Sequence, residues 1–130
     1  MILVDSSVWI DLLRDRQTPA TRFLEDRSSN KMDLIVSDLV LLEVLRGARD
    51  DAHAARLERE LRRFPVVETM SERVAVEAAR IYRALRAEGV TIRKTVDLAI
   101  ATFCILNGHA LLQSDRDFPP IAARFPLQLV

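Results

Sequence analysis

The sequence predicts an α/β fold, a three-layer α/β/α sandwich around a central, mainly parallel sheet of about four to five strands. Three observations carry that prediction. The short segments Ile2-Leu3-Val4, Leu34-Ile35-Val36 and Ala110-Leu111-Leu112 are apolar throughout, with none of the in-and-out alternation of a half-solvated antiparallel sheet, so they read as strands covered on both faces. Between them lie stretches with apolar residues at helical spacing, so strand and helix alternate along the chain. Thr18-Pro19, Gly47, Pro65, Gly89 and Asn107-Gly108 punctuate the chain where that alternation needs breaks.

Residues 1–5 form the first strand, and Val8, Trp9, Leu12 and Leu13 give the following helix its apolar stripe. Thr18 as N-cap and Pro19 at the first helical position open a second helix, which runs to about Ser28 with Phe23 and Leu24 inward. Ser29-Asn30-Lys31 breaks it. Asp33-Leu34-Ile35-Val36 is the second strand; Ser37 or Asp38 then caps a helix that contains Glu43 and is closed by Gly47 in the C-terminal manner. Residues 52–63 form a charged helix with Leu57, Leu61 and then Phe64 on one face, ended by Pro65 ahead of a minimal third strand, Val66-Val67. Thr69 and Glu72 have the spacing of a capping box for a helix through Glu88, with Val74, Ala78, Ile81, Tyr82 and Leu85 inward and Gly89 as its stop. Thr95 opens a helix that carries Asp97 in its first turn and ends at Asn107-Gly108. Residues 110–113 are the fourth strand, Pro119-Pro120 introduce a short helix, and Leu127-Gln128-Leu129 is the fifth strand.

A chain of 130 residues is expected to form one domain with a real core, and 49% hydrophobic residues with only 3 Gly and 5 Pro argue against long disordered segments. Cys104, the one cysteine, has no intramolecular disulfide partner and reads as a small buried hydrophobe. The Met1-Ile2-Leu3-Val4-Asp5 start is not a signal peptide, and no apolar run approaches the ~20 residues of a membrane helix. The expectation is a soluble cytoplasmic protein with no membrane contact. Formal net charge is zero, which at first argues against a nucleic-acid partner. Setting aside five special acids leaves 14 acids against 19 bases, and nearly all the bases are Arg, whose planar fork clamps phosphate bidentately.

Those five acids, Asp5, Glu43, Asp97, Asp115 and Asp117, each border or interrupt an apolar segment, where a lone ionised carboxylate is costly without a partner or an ion. Taken singly, each has an ordinary explanation: Asp5 as a helix cap, Asp97 as a first-turn partner of the helix dipole, Asp115 and Asp117 as turn residues, Glu43 as an ion-pair partner of Arg46. Taken together they have one chemistry and plausibly one location. Ligands of open parallel sheets gather beyond the C-terminal strand ends, which puts Asp5 and Asp115 on one edge, with Asp97 in reach if its helix starts there. That rule does not place Glu43. Crowded carboxylates repel unless a cation lies between them, and hard oxygen donors select Mg²⁺ or Mn²⁺ over zinc; His53, His109 and Cys104 are scattered without zinc spacing.

The strand-one acid followed by Ser6-Ser7, then Glu43-Val44-Leu45-Arg46-Gly47, Thr95-Val96-Asp97-Leu98-Ala99-Ile100-Ala101 and Ser114-Asp115-Arg116-Asp117-Phe118, resemble the four signature blocks of the PIN domain, in order and across nearly the whole chain. In length and blocks the chain is most similar to the VapC-type toxins of toxin–antitoxin pairs. The resemblance implies a Mg²⁺- or Mn²⁺-dependent ribonuclease with Asp5, Glu43, Asp97 and Asp115 as its acidic quartet, Asp5 and Asp97 being direct ligands. It further implies Asp117 as an auxiliary acid, Ser7 as a polar support, an RNA substrate, a cognate antitoxin and a homodimer. Arg93, Lys94 and Arg116, nearest in sequence to the acids, are the candidate RNA-backbone contacts, whereas Arg56, Arg59, Arg62 and Arg63 read as a solvated helix face. An antitoxin groove near the first helices would draw on Val8, Trp9, Leu12, Leu13 and Phe23, although core is the plainer role for most of them. Three rivals fit less well. An aspartyl phosphatase needs a second acid two residues after Asp5, where Ser7 stands; a receiver-like signalling domain needs an acidic pair after strand one, an acceptor Asp after strand three, where Glu68 stands, and a Lys after strand five, for which neither Lys31 nor Lys94 is placed; a non-catalytic module would leave the five acids as caps.

Overall fold

A computed structural model describes residues 1–27 and 33–130. The expected end of the second helix at Ser28 and its break at Ser29-Asn30-Lys31 lie outside the described residues. The chain alternates strand and helix as β1 (Ile2–Val4), α1 (Ser6–Leu13), α2 (Pro19–Arg27), β2 (Leu34–Ser37), α3 (Asp38–Arg46), α4 (Asp51–Leu61), β3 (Val66–Val67), α5 (Glu72–Ala87), α6 (Thr95–Asn107), β4 (Ala110–Leu112), α7 (Phe118–Ala122) and β5 (Gln128–Leu129). The five strands form one parallel sheet in the order β3-β2-β1-β4-β5, with Leu3 level with Ile35 on one side and Leu111 on the other. Helices α1 to α4 pack among themselves, as do α5, α6 and α7, giving the expected helical layers about the sheet. Leu3, Val4, Leu34, Val36 and Leu111 are wholly buried, which is why these strands carry no polar alternation.

Helix α6 departs from the amphipathic pattern of the others. Residues 97–102 are buried without interruption, because this helix is apolar on all sides and lies within the core, and Cys104 is fully buried with them. Burial pushes the Cys104 thiol up to about 12, consistent with an inert packing role. Gly108 ends α6 at φ 66°, a left-handed conformation that a side chain would strain.

Two expectations need correction. Thr69 does not cap α5. Its hydroxyl bonds Asp38, and Ser71 caps the helix by accepting from the Val74 N–H at 3.1 Å. Gly47 does follow α3, yet its φ of −85° is open to any residue, so the backbone does not require glycine there. Elsewhere the caps fall as expected: Ser37 accepts from the Leu39 N–H at 3.0 Å, and Thr18 from the Thr21 N–H at 3.1 Å.

Asp38 ties the start of α3 to Thr69, in the segment between β3 and α5. Its carboxylate accepts from the Leu39 N–H at 2.8 Å, the Thr69 N–H at 3.1 Å and the Thr69 hydroxyl. Burial pushes its pKa up, but the bonds from Thr69, Leu39 and Ser37 outweigh that and hold it below the ordinary carboxylate value. A depressed folded pKa gives stability that is present above the unfolded value of 3.8 and is lost as pH falls through the folded one. Asp38→Asn is therefore expected to cost about 1 kcal/mol at neutral pH. In urea titrations the gap between variant and wild type should close only on acidification below the unfolded value, and a constant gap across that range would refute the linkage.

Candidate metal centre

The strand order reverses between β1 and β4, and the acids gather at the C-terminal side of that switch point, where parallel sheets bind ligands. Asp5 follows β1 and is anchored by its own N–H, which donates to the Leu112 carbonyl of β4 at 2.9 Å. It is also the N-cap of α1, its Oδ2 accepting from the Ser7 N–H at 3.1 Å and the Ser7 hydroxyl at 2.6 Å. Capping and site membership, alternatives in the sequence, coexist here because the two oxygens divide the tasks: Oδ2 caps, while Oδ1 is buried with no hydrogen-bond partner. The Ser7 hydroxyl in turn accepts from the Ser114 N–H at 3.1 Å, which clamps the β4 loop to the start of α1.

Glu43 enters from α3, which packs against α1. Its Oε1 accepts from the Ser6 hydroxyl at 3.0 Å, and among the described residues it makes no ion pair with Arg46. Sequence reasoning missed Ser6. The available signal was the second hydroxyl of the Ser6-Ser7 pair, one residue after a site acid. Asp97 arrives in the first turn of α6, 2% exposed, with Oδ2 buried and without a partner. Asp115 accepts from the Asp117 N–H at 3.0 Å and from Lys94 Nζ at 3.2 Å. Asp117 is buried and stands before α7 without making a side-chain cap.

The five acids form two overlapping groups. Asp5, Glu43 and Asp97 each bring one carboxylate oxygen within 4.8 Å of the others, as do Asp97, Asp115 and Asp117. Asp97 belongs to both. Its electrostatics follow: burial, then the charges of Asp5 and Asp115, push its pKa up to about 7, with Lys94 opposing. Burial likewise raises Asp5, against the hydrogen bonds from Ser7. Burial acts upward on Asp115 as well, but the Asp117 N–H and Lys94 hold it below the ordinary range, and its bond and charge raise Lys94 in return.

Arg93 and Arg116 are exposed and make no ion pair among the described residues, the charge of Arg116 acting on Asp115, whereas Lys94 is engaged with Asp115 directly. Just past α4, Arg62 and Arg63 pair with Glu58 and Glu60 of that helix on a solvated face, as expected. Val8 and Trp9 are core, Leu12 and Phe23 are partly buried against it, and Leu13 is 44% exposed.

Among the described residues the buried side-chain atoms left without a hydrogen-bond partner are Asp5 Oδ1, Asp97 Oδ2 and the Trp9 indole nitrogen, so two of the three lie in one acidic cluster. Buried carboxylate oxygens without a donor are costly, and a cation removes that cost. The donor set is all oxygen, which fits a hard divalent ion and not zinc.

A five-stranded parallel sheet with carboxylates converging at its switch point defines the class: α/β proteins built to gather acids, and with them a cation, at one strand edge. The chain belongs to the PIN domain family, whose model matches residues 2–123. It is 32% identical to VapC ribonuclease Mb1587 of Mycobacterium bovis and equally to ribonuclease VapC11 of Mycobacterium tuberculosis, each alignment spanning 98% of this chain and 96% of the relative. Among solved structures it resembles VapBC2 from Rickettsia felis bound to a promoter DNA fragment (TM-score 0.78, 20% identity, 100% of this chain and 98% of that one). It also resembles VapBC-1 from nontypeable Haemophilus influenzae (TM-score 0.78, 21% identity, 100% and 97%).

Proposed function

We propose that this protein is a metal-dependent ribonuclease that hydrolyses RNA phosphodiester bonds and serves as the toxin of a type II toxin–antitoxin pair. The observation that carries the reading is the pair of buried, partnerless carboxylate oxygens on Asp5 and Asp97, within a cluster that Glu43, Asp115 and Asp117 complete. The family and the names of the mycobacterial relatives support ribonuclease chemistry. Solved VapBC relatives support a cognate antitoxin as partner. The ion assigned is Mg²⁺, with Mn²⁺ as a substitute. When bound, it supplies a nucleophilic water at neutral pH and stabilises charge on the phosphate.

The chain's own groups do the rest. Ser7 holds the Asp5 carboxylate through Oδ2, which leaves Oδ1 open to an ion, and Ser6 holds Glu43 through Oε1. Asp5 and Asp97 are the direct ligands in this reading. Glu43 and Asp115 orient water, Asp115 being steadied by Lys94, and Asp117 adds charge on the Asp97 side. Arg93 and Arg116 hold the RNA backbone as bidentate phosphate clamps, and Lys94 adds its charge beside them while it steadies Asp115. No protein nucleophile is required. A homodimer and a cytoplasmic location complete the proposal; no helix among the described residues is long and apolar enough to cross a membrane.

Purified protein incubated with unstructured RNA should cleave it with Mg²⁺ or Mn²⁺ and leave it intact in EDTA. Equal RNA loss in EDTA, or none with any divalent ion, would overturn the assignment.

A further inference from the structure

Lys94 stands where a cation is out of place. It is the N-cap of α6, a position at which the helix dipole and the unpaired N–H groups favour negative charge, and its side chain makes no capping bond. Its backbone is fixed there, the carbonyl accepting from the Leu98 N–H at 3.2 Å. What the position gives the side chain is reach. Nζ crosses to the loop after β4, 21 residues on in the chain, and donates to Asp115 Oδ2 at 3.2 Å. Its charge also interacts with those of Asp97 and Glu43. An ammonium has three donors, and Asp115 engages one of them.

The two acidic groups that share Asp97 differ in how their oxygens are engaged. In the group of Asp5, Glu43 and Asp97, no acid is ion-paired among the described residues, and Asp5 Oδ1 and Asp97 Oδ2 are buried without a donor. In the group of Asp97, Asp115 and Asp117, both oxygens of Asp115 carry a donor, Oδ1 the Asp117 N–H at 3.0 Å and Oδ2 the Lys94 ammonium. A metal ion entering that second group would meet a positive charge already bonded to one of its ligands. We propose that the Lys94 ammonium is the resident cation of the group of Asp97, Asp115 and Asp117, so that the centre takes a single divalent ion, among Asp5, Glu43 and Asp97. The inference rests on the metal-dependent reading and extends it to the number of ions. Lysine suits the part because its ammonium is a compact point charge, as a metal ion is, whereas the arginines that make up nearly all of the chain's other bases present a broad planar fork. Its remaining donors are available to a phosphate oxygen of the RNA.

Titration of the full-length protein with Mn²⁺, the free ion being read by electron paramagnetic resonance, counts the ions without any RNA. The wild type should bind one Mn²⁺ per chain. Lys94→Met alters a side chain that is 59% exposed, so the fold tolerates it, and this variant should bind two. Ions of two-metal sites lie about 4 Å apart, so the doubly loaded variant should also show a spin-coupled spectrum that the wild type lacks. Lys94→Gln, which removes the charge and keeps a polar group, should behave in the same way. Arg116→Met removes a charge that acts on Asp115 without pairing with it, and should stay at one ion. Two ions in the wild type, one in either Lys94 variant, or two in Arg116→Met would overturn the role of Lys94 and leave the metal-dependent reading standing. No ion in any of the four proteins would overturn both. One ion in the wild type and two in the Lys94 variants, with no RNA cleaved, would support the role of Lys94 and sink the ribonuclease reading alone.

Discussion

Asp97→Asn is expected to reduce RNA cleavage at least about 100-fold while leaving the metal-free protein as stable as the wild type or more so. The reason is the position of Asp97 at the junction of both acidic groups, where burial and the charges of Asp5 and Asp115 raise its pKa to about 7. The sign follows from linkage. A folded pKa above the unfolded 3.8 means that the folded state binds the extra proton, so the contribution to stability is fully present below 3.8 and is lost as pH rises through about 7. In EDTA the wild type should therefore lose melting temperature between pH 4 and 8, and Asp97→Asn should lose less. Divalent ion should raise the melting temperature of the wild type at pH 8 well beyond that of the variant. A marked drop in the variant's stability at pH 8 would make Asp97 a structural residue instead.

Ser7→Ala is the second large effect. One hydroxyl donates to Asp5 Oδ2 and accepts from the Ser114 N–H, so its loss frees the Asp5 carboxylate and unfastens the β4 loop together. Supporting contacts of this kind are worth 10- to 100-fold in metal affinity, and about 1–2 kcal/mol of stability goes with the lost hydrogen bonds. Isothermal titration with Mn²⁺ should show the weakened site, and Ser7→Thr, which keeps the hydroxyl, should recover most of it. Equal affinity in Ser7→Ala and wild type would remove Ser7 from the site.

Strand and helix positions were legible in the sequence because burial on both faces leaves an unbroken apolar run, and the residues that end each element do so locally. Asp5 and Asp115 were legible for a related reason: both lie just past the C-terminal ends of β1 and β4, which are neighbours in the sheet. Glu43 was not, since its location depends on the packing of α3 against α1, and its bond to Ser6 spans 37 residues. The capping box at Thr69 and Glu72 failed for the same kind of reason. Its hydroxyl had a better acceptor 31 residues away in Asp38, which local spacing does not reveal. Lys94 read from sequence as a candidate RNA-backbone contact, and only tertiary structure brought Asp115 to it.

The central place of β1 sets a timetable for biosynthesis. The first strand made waits in the middle of the sheet for a partner near the end of the chain, and the clamp between Ser7 and Ser114 joins residues 107 apart. A ribosome that has finished β1, β2 and β3 has produced Asp5 and Glu43 but neither Asp97 nor Asp115, so the nascent chain holds only part of the acidic centre. Full assembly waits for this late, non-local closure, the slow kind of contact in folding. A product that stops before α6 thus lacks Asp97 and Asp115, and the acidic centre is whole only once β4 and the loop after it have been made.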